Sequence, residues 1–329
     1  MGDVERWSIE RLRGSLGGVA VGGLSPGRVV ARARGRRGLG ACRRLAVAAF
    51  VVAGGLWGAA FIFGKLAFTE LPISHVALYR FAIATLVLLP FALIRRRWPS
   101  RRDLPHFLLT GFLIVPATFM LQYTGLAWTS ATSASLIIGT LPPMLALAAA
   151  WFQDERLGGR GWASIGVSTL GVTLVVGLPG AEHDWAGDGL VFLSMIVVVA
   201  WVLLSKPLIK RYTALVATAY LMLFGTLTML PVALLWDGTP RLQMSTGVLA
   251  SVLTLGLACS ALTYALWNWG LNHVSASRAG VYTNLEPVVG VLLGVTFLHE
   301  TLQPWAIIGG LLVIAGAVAI TRTESQAQE

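Results

Sequence analysis

The sequence predicts an all-α integral membrane protein with ten transmembrane helices, arranged as two inverted five-helix repeats. Three observations carry this. Long apolar runs are separated by short charged clusters, Arg and Lys gather in alternate loops, and landmarks recur after a shift of 141–145 residues. Of 329 residues, 56% are hydrophobic and only 12% are charged, where a soluble domain is about a quarter charged. The runs fall at 45–66, 74–94, 104–123, 129–151, 160–177, 187–206, 214–236, 247–270, 276–298 and 303–321. Each is close to the roughly 20 residues that cross a bilayer as a helix. Helices are the expected form, because an open strand in lipid leaves its backbone groups unpaired. The runs do not alternate as a barrel strand would.

The net charge of +10 points first to nucleic acid, but its distribution does not. Residues 1–44 hold ten Arg against three acidic residues, which leaves 15 basic and 12 acidic groups elsewhere. The basicity is therefore mostly an N-terminal tail, rich in Gly and Arg and expected to be disordered and cytoplasmic. No nucleic-acid partner is expected. The run from Leu45 to Leu66 is too long for a signal-peptide core and reads as an uncleaved first span. Cys42 and Cys259 give no disulfide framework and no zinc spacing.

With the tail inside, the loops after the second, fourth, sixth, eighth and tenth spans are cytoplasmic. They carry Arg95, Arg96, Arg97, Arg101 and Arg102; Arg156 and Arg160; Lys206, Lys210 and Arg211; Arg278; and Arg322. The external loops hold Lys65 and Arg241, and the acids Glu182, Asp184 and Asp188 crowd the loop after the fifth span. This asymmetry predicts a multi-pass plasma-membrane protein with both termini cytoplasmic.

The repeat is read by shifting the chain. At 141 residues, Lys65 lands on Lys206, Tyr79 on Tyr220 and Pro90 on Pro231; at 145, Gly125 lands on Gly270, Pro142 on Pro287, Glu155 on Glu300 and Gly171 on Gly316. The expected units are 45–177 and 187–321, flanked by the 1–44 tail and a 322–329 tail. Five spans is an odd number, so the second unit enters the membrane upside down. Inverted repeats are a frequent signature of alternating-access transporters, with the site between the halves near the midplane.

Glu286 and Pro287 pose the sharpest question in the chain, since a carboxylate and a proline both sit inside an apolar run. A charged carboxylate at a helix centre costs about 2.5–3.5 kcal/mol on insertion scales. The side chain should therefore face the bundle interior. Pro287 is expected to free a carbonyl near Thr283, tolerable where it lines a wet path. The alternative is a neutralised buried Glu beside a packing kink. Tyr264, Asn268 and Asn272 recur every four residues on one face of the eighth span, with Trp267 beside them. Tyr282 lies one turn before Glu286, and Gln122 and Tyr123 correspond by the repeat to Trp267 and Asn268. The expected substrate-binding set is Tyr264, Trp267, Asn268, Tyr282, Glu286, Gln122 and Tyr123. Aromatic rings with sparse amides suit an amphipathic organic solute, although aromatic residues also gather at membrane interfaces. Arg80, Lys65 and Lys206 are candidate gating or anion contacts. Arg80 can equally pair with Glu70 or snorkel outward, and the two lysines can anchor span ends.

The motifs resemble a known family. Leu56-Trp57-Gly58 opens the first span and Lys65 closes it. Pro72 precedes Arg80-Phe81-Ala82-Ile83-Ala84, Gly125-Leu126 and Gly270-Leu271 precede the fourth and ninth spans, and Leu285-Glu286-Pro287 leads to His299-Glu300. In this order they are similar to the EamA branch of the drug/metabolite transporter superfamily, over about residues 50–320 in two units. The resemblance implies a secondary transporter of a small organic metabolite, often moved outward, with the lipid bilayer as its solvent; the expected burial of Glu286 makes a proton the candidate coupling ion. The first half has Leu141-Pro142 where the second has Glu286-Pro287, and Val198 stands where the repeat would place a Trp, so the two halves are unequal. No cofactor, metal or catalytic residue is expected, because metal-protease, hydrolase and phosphate-loop motifs are all missing from the sequence. The readings from other classes are an intramembrane enzyme and a non-transporting scaffold.

Overall fold

A computed structural model describes residues 26–95, 98–152, 158–177, 184–271 and 280–327. The chain divides after Arg44 into two compact units, and the helices that carry the site lie in Leu45–Glu329. The regular structure of the described residues is helical, with no strand among them. Among the described residues, six helices are long and apolar enough to cross a membrane. They are α1 (Pro26–Ala67, of which Arg44–Ala67 is the apolar part), α2 (Ile73–Ile94), α3 (Leu104–Trp128), α7 (Trp185–Tyr212), α8 (Ala214–Trp236) and α9 (Thr246–Gly270). α1 begins at Pro26, inside the stretch expected to be a disordered tail; Pro is well placed at the first helical position, and the Ala, Leu and Arg that follow are good helix formers. Residues 1–25 lie outside the described residues, as do Arg96, Arg97, Glu155, Arg156, Glu182, Asn272 and Arg278.

The described parts of the runs at 129–151 and 276–298 are not single uniform α-helices. α4 (Ala131–Ile138) ends at Gly139, and α5 (Leu141–Phe152) starts two residues later. A short 3-10 turn, Gly280–Asn284, leads into α10 (Leu285–Phe297). The prolines explain both breaks. Pro142 and Pro287 lack the N–H that a helix interior needs, but the first turn of a helix has no use for it. Pro287 lies in the first turn of α10, directly after the 3-10 turn, rather than in the middle of one long α-helix. α6 (Gly159–Gly177) and α11 (Pro304–Ala327) complete the set.

Two long helices change pitch at one place each. α3 carries a π-helical stretch at Leu113–Ala117 and α9 carries one at Leu257–Leu262. In each, the threonine that follows repairs the ladder. Thr118 Oγ1 donates to the Leu113 carbonyl at 2.8 Å, and Thr263 Oγ1 donates to the Ala258 carbonyl at 2.7 Å. Such widened turns commonly sit at functional sites.

Packing pairs α6 with α11, α2 with α8, α3 with α7, and α4 with α10. Small residues let backbones meet, as membrane helices require where no hydrophobic force draws them together. A Cβ at Gly171 would lie 2.6 Å from the Gly309 carbonyl and 2.9 Å from Val313 Cγ2, and a Cβ at Gly316 would lie 2.7 Å from the Ser164 carbonyl and 2.8 Å from Ser168 Cβ. Polar ties close the helix ends. Asp103, before α3, accepts from Arg211 and Tyr212 at the end of α7. At the other end, Glu70 accepts from the Ser245 amide at 2.7 Å, Ser74 donates to Asp237 at 2.6 Å, and Glu300 accepts from the Ala131 and Thr132 amides at the start of α4.

Candidate functional site

The site starts from a close approach. Gly54 and Gly58 are one turn apart on α1 and meet the backbone that enters α10. A Cβ at Gly54 would lie 2.7 Å from the Tyr282 carbonyl, and one at Gly58 would lie 2.6 Å from the Glu286 carbonyl. With α1 held there, Phe50 and Trp57 meet the aromatic residues of α9 and of the turn before α10. Phe50 stacks on Tyr282 with centroids 5.6 Å apart and meets Trp267 edge-on at 4.9 Å. Trp57 meets Trp267 at 5.2 Å and Tyr264 edge-on at 5.8 Å. These five rings form one wall, and the four other than Phe50 are half-buried rather than sealed. Offset and edge-on ring pairs of this kind add about 0.5–1.5 kcal/mol each beyond burial.

Glu286 stands at the end of this wall, in the first turn of α10. The unpaired amides and dipole at a helix start favour a negative charge. Its side chain is half-buried. It lies within electrostatic reach of Arg80 and of Tyr264.

Arg80, on α2, is 5% exposed. It neither snorkels outward nor pairs with Glu70, which is engaged by Ser245 instead. Its Nε donates to Ser260 Oγ at 2.8 Å, Nη1 to the Tyr123 hydroxyl at 2.7 Å and Nη2 to the Cys259 carbonyl at 3.3 Å. The guanidinium also lies 4.9 Å from the Phe119 ring centroid. Cys259 and Ser260 belong to the π stretch of α9, so the widened turn is what presents a carbonyl and a hydroxyl to the arginine.

The other expected residues scatter. Tyr123 joins Arg80 and packs edge-on against Phe119 and Phe68. Gln122 is buried on α3. Asn268 donates to Thr218 Oγ1 on α8 at 3.3 Å. Lys65 reaches the Thr129 carbonyl at 2.5 Å, and Thr129 in turn donates to the buried Asp188. Lys206 is exposed, inside α7 rather than in a loop. Residues that sequence reading missed are Phe50, Trp57, Ser260 and the Cys259 carbonyl. The Gly54/Gly58 pair was the available signal for Phe50 and Trp57, because it marks the face of α1 that approaches another backbone.

The ionisable groups outside the membrane-spanning helices act at the ends. The Tyr212 hydroxyl, then the Arg211 guanidinium, hold the Asp103 carboxyl down at about 2. Hydrogen bonds from Ser245 lower Glu70. No group of three or more metal-binding side chains occurs among the described residues.

Comparison with known proteins follows this geometry. Residues 44–177 and, separately, 185–322 match the EamA-like transporter family. The chain belongs to that family. It is similar to an uncharacterized transporter of Archaeoglobus fulgidus, 26% identical over 82% of this chain and 95% of the relative. It is also similar to a protein of Streptantibioticus cattleyicolor named a "probable terminal-alkyne amino-acid exporter", 29% identical over 84% of this chain and 93% of the relative. A solved crystal structure shares the fold with a TM-score of 0.62 at 16% identity, over 86% of this chain and 99% of that one. This EamA-like protein is thus a helical membrane protein of the transporter type, and its family and relatives place it with carriers rather than enzymes.

Proposed function

We propose that this EamA-like chain is a secondary transporter that carries a small amphipathic, amino-acid-like solute outward across the plasma membrane by alternating access. In this reading the solute's apolar part lies on the wall of Trp57, Tyr264, Trp267 and Tyr282. Glu286 exchanges a proton as the two halves rock.

The observation that carries it is the passage from 3-10 turn to α-helix just before Glu286. An α-helix whose first turn carries an acid within an apolar run, with half-buried aromatic rings alongside, is suited to meet a polar group away from bulk water. A lipid-facing or purely structural position would favour neither the charge nor the break.

Ten spans in two inverted repeats give this site its setting. The contacts support that arrangement. Gly171 against Val313 and Gly316 against Ser168 are the same contact after a shift of 145 residues. So are the two π stretches with their repairing threonines, Thr118 and Thr263. The breaks before α5 and α10 also coincide under the shift. Paired interruptions in corresponding segments are a pointer to a transport site. The two family matches fall on the two proposed units. The Arg and Lys asymmetry supports cytoplasmic termini.

Counterflow is the test. Vesicles carrying only this protein and preloaded with an unlabelled amino-acid mixture should accumulate labelled leucine or phenylalanine transiently. A transporter returns the label chemically unchanged. Recovery of altered label, or no accumulation above protein-free vesicles for any apolar amino acid, contradicts the proposal.

A further inference from the structure

Arg80 is buried without a counter-charge in contact. An arginine carries five N–H donors. Three are used, on Ser260, Tyr123 and the Cys259 carbonyl, and every one of these partners is neutral. No carboxylate among the described residues lies within ion-pair distance of the guanidinium. A buried cation without a paired anion is costly, and hydrogen bonds from neutral groups offset only part of that cost. The protein holds the guanidinium rigidly all the same. It is bonded from α3 and from two residues of the widened turn of α9, and it faces the Phe119 ring. Glu286 acts on it only at a distance, with Tyr264 in the field of both.

We infer that Arg80 is the specificity-determining contact of the solute site: its two spare N–H donors take the carboxylate of the bound solute. Arginine suits this role, because its planar fork matches a carboxylate with two parallel bonds. Ser260, Tyr123 and the Cys259 carbonyl position the fork, and the π stretch of α9 positions Ser260 and Cys259. The solute then lies between two poles of opposite sign, its carboxylate at Arg80 and its amine toward Glu286, with the aromatic wall for its apolar part. The site consequently discriminates against the same molecule without the carboxylate. This inference rests on the solute site proposed above, but it concerns recognition and not movement.

The experiment is therefore a binding measurement. Purified full-length protein in detergent is titrated with leucine, phenylalanine and tryptophan, and with their decarboxylated amines isoamylamine, phenethylamine and tryptamine. Binding is read from the ligand-dependent rise in melting temperature. At least one acid should bind about tenfold or more tightly than its amine, the range of a charge-assisted hydrogen bond. Arg80→Gln should bring that ratio close to one, and Arg80→Lys should leave it between the two. Ser260→Ala keeps the arginine but loosens it, and should lower the ratio by severalfold. It decides the matter if Arg80→Gln does not fold. A merely structural arginine would change the melting temperature of the free protein but not the ratio. The inference is overturned if no acid binds, if acid and amine bind alike, or if the ratio survives in Arg80→Gln or, failing that variant, is unchanged in Ser260→Ala. Protein that shows the expected ratio yet gives no counterflow would overturn the transport reading and leave this one standing.

Discussion

Gly58 faces the backbone carbonyl of Glu286 so closely that a Cβ on the glycine would lie 2.6 Å from that oxygen. Real side chains do not pack at that distance, and a carbonyl in a helix start cannot swing aside as a flexible side chain can. Gly58→Ala should push α1 away from α10, cost about 1–3 kcal/mol as an overpacked site does, and disturb the ring wall. The expected result is a lower melting temperature and reduced counterflow. Gly55→Ala, whose Cβ would meet nothing within 4 Å, should leave both unchanged. Equal behaviour of the two variants would show that this approach is not needed.

Trp57→Ala removes the ring that joins Tyr264 to Trp267. The half-saturation concentration for solute should rise about tenfold, as expected for losing about 1.5 kcal/mol of contact. Tyr282→Ala should act in the same direction, and Asn268→Leu should lower transport by breaking its tie to Thr218. Full transport by Trp57→Ala and Tyr282→Ala would remove the wall from the site.

Asp103 predicts a pH dependence of stability. Its carboxyl is held at about 2 in the folded protein, below its ordinary value of 3.8. A depressed carboxylate stabilises the fold above the unfolded value and loses that contribution as pH falls through the folded one. The tie between α3 and α7 should therefore be fully in place above about pH 4 and fade towards about pH 2. Asp103→Asn should melt earlier at neutral pH and lack this acid-side decline, as followed by melting temperature between about pH 6 and 2.5. An identical decline in wild type and variant would assign it to other groups.

The Arg and Lys distribution predicts that Asp184, which caps the start of α7 through bonds to the Ala186 and Gly187 amides, faces outward. A cysteine at this position should react with an impermeant thiol reagent in intact cells. Cys259 is buried and should stay silent. Labelling that appears only after lysis would invert the topology.

The class of the fold was legible because apolar run length is dictated by the bilayer. Six of the expected spans are helices of sufficient length and composition. The turn at Gly139–Thr140 and the passage from 3-10 to α-helix at Asn284–Leu285 were not legible. Proline announces an interruption, but its chemistry is the same for a kink and for a fresh helix start, and only the position of the turn before it separates them. The fate of Arg80 was hidden for a similar reason. Its partners are about 180 residues away on α9 and 43 away on α3, and a π stretch that rotates Ser260 toward it leaves no mark in composition. Glu286 stood out because a carboxylate in an apolar run is costly wherever the run folds.

The claim at the centre of the proposed mechanism is that Glu286 carries the coupling proton, and Glu286→Gln tests it most directly. The amide keeps the size of the side chain and imitates its protonated form. The measurement is made on vesicles holding wild type or variant, once with solute at equal concentrations on both sides and once with a pH difference imposed. The account predicts that Glu286→Gln still exchanges labelled solute at equal concentrations but no longer concentrates it when the pH difference is applied. A Gln variant that concentrates solute as wild type does would contradict it.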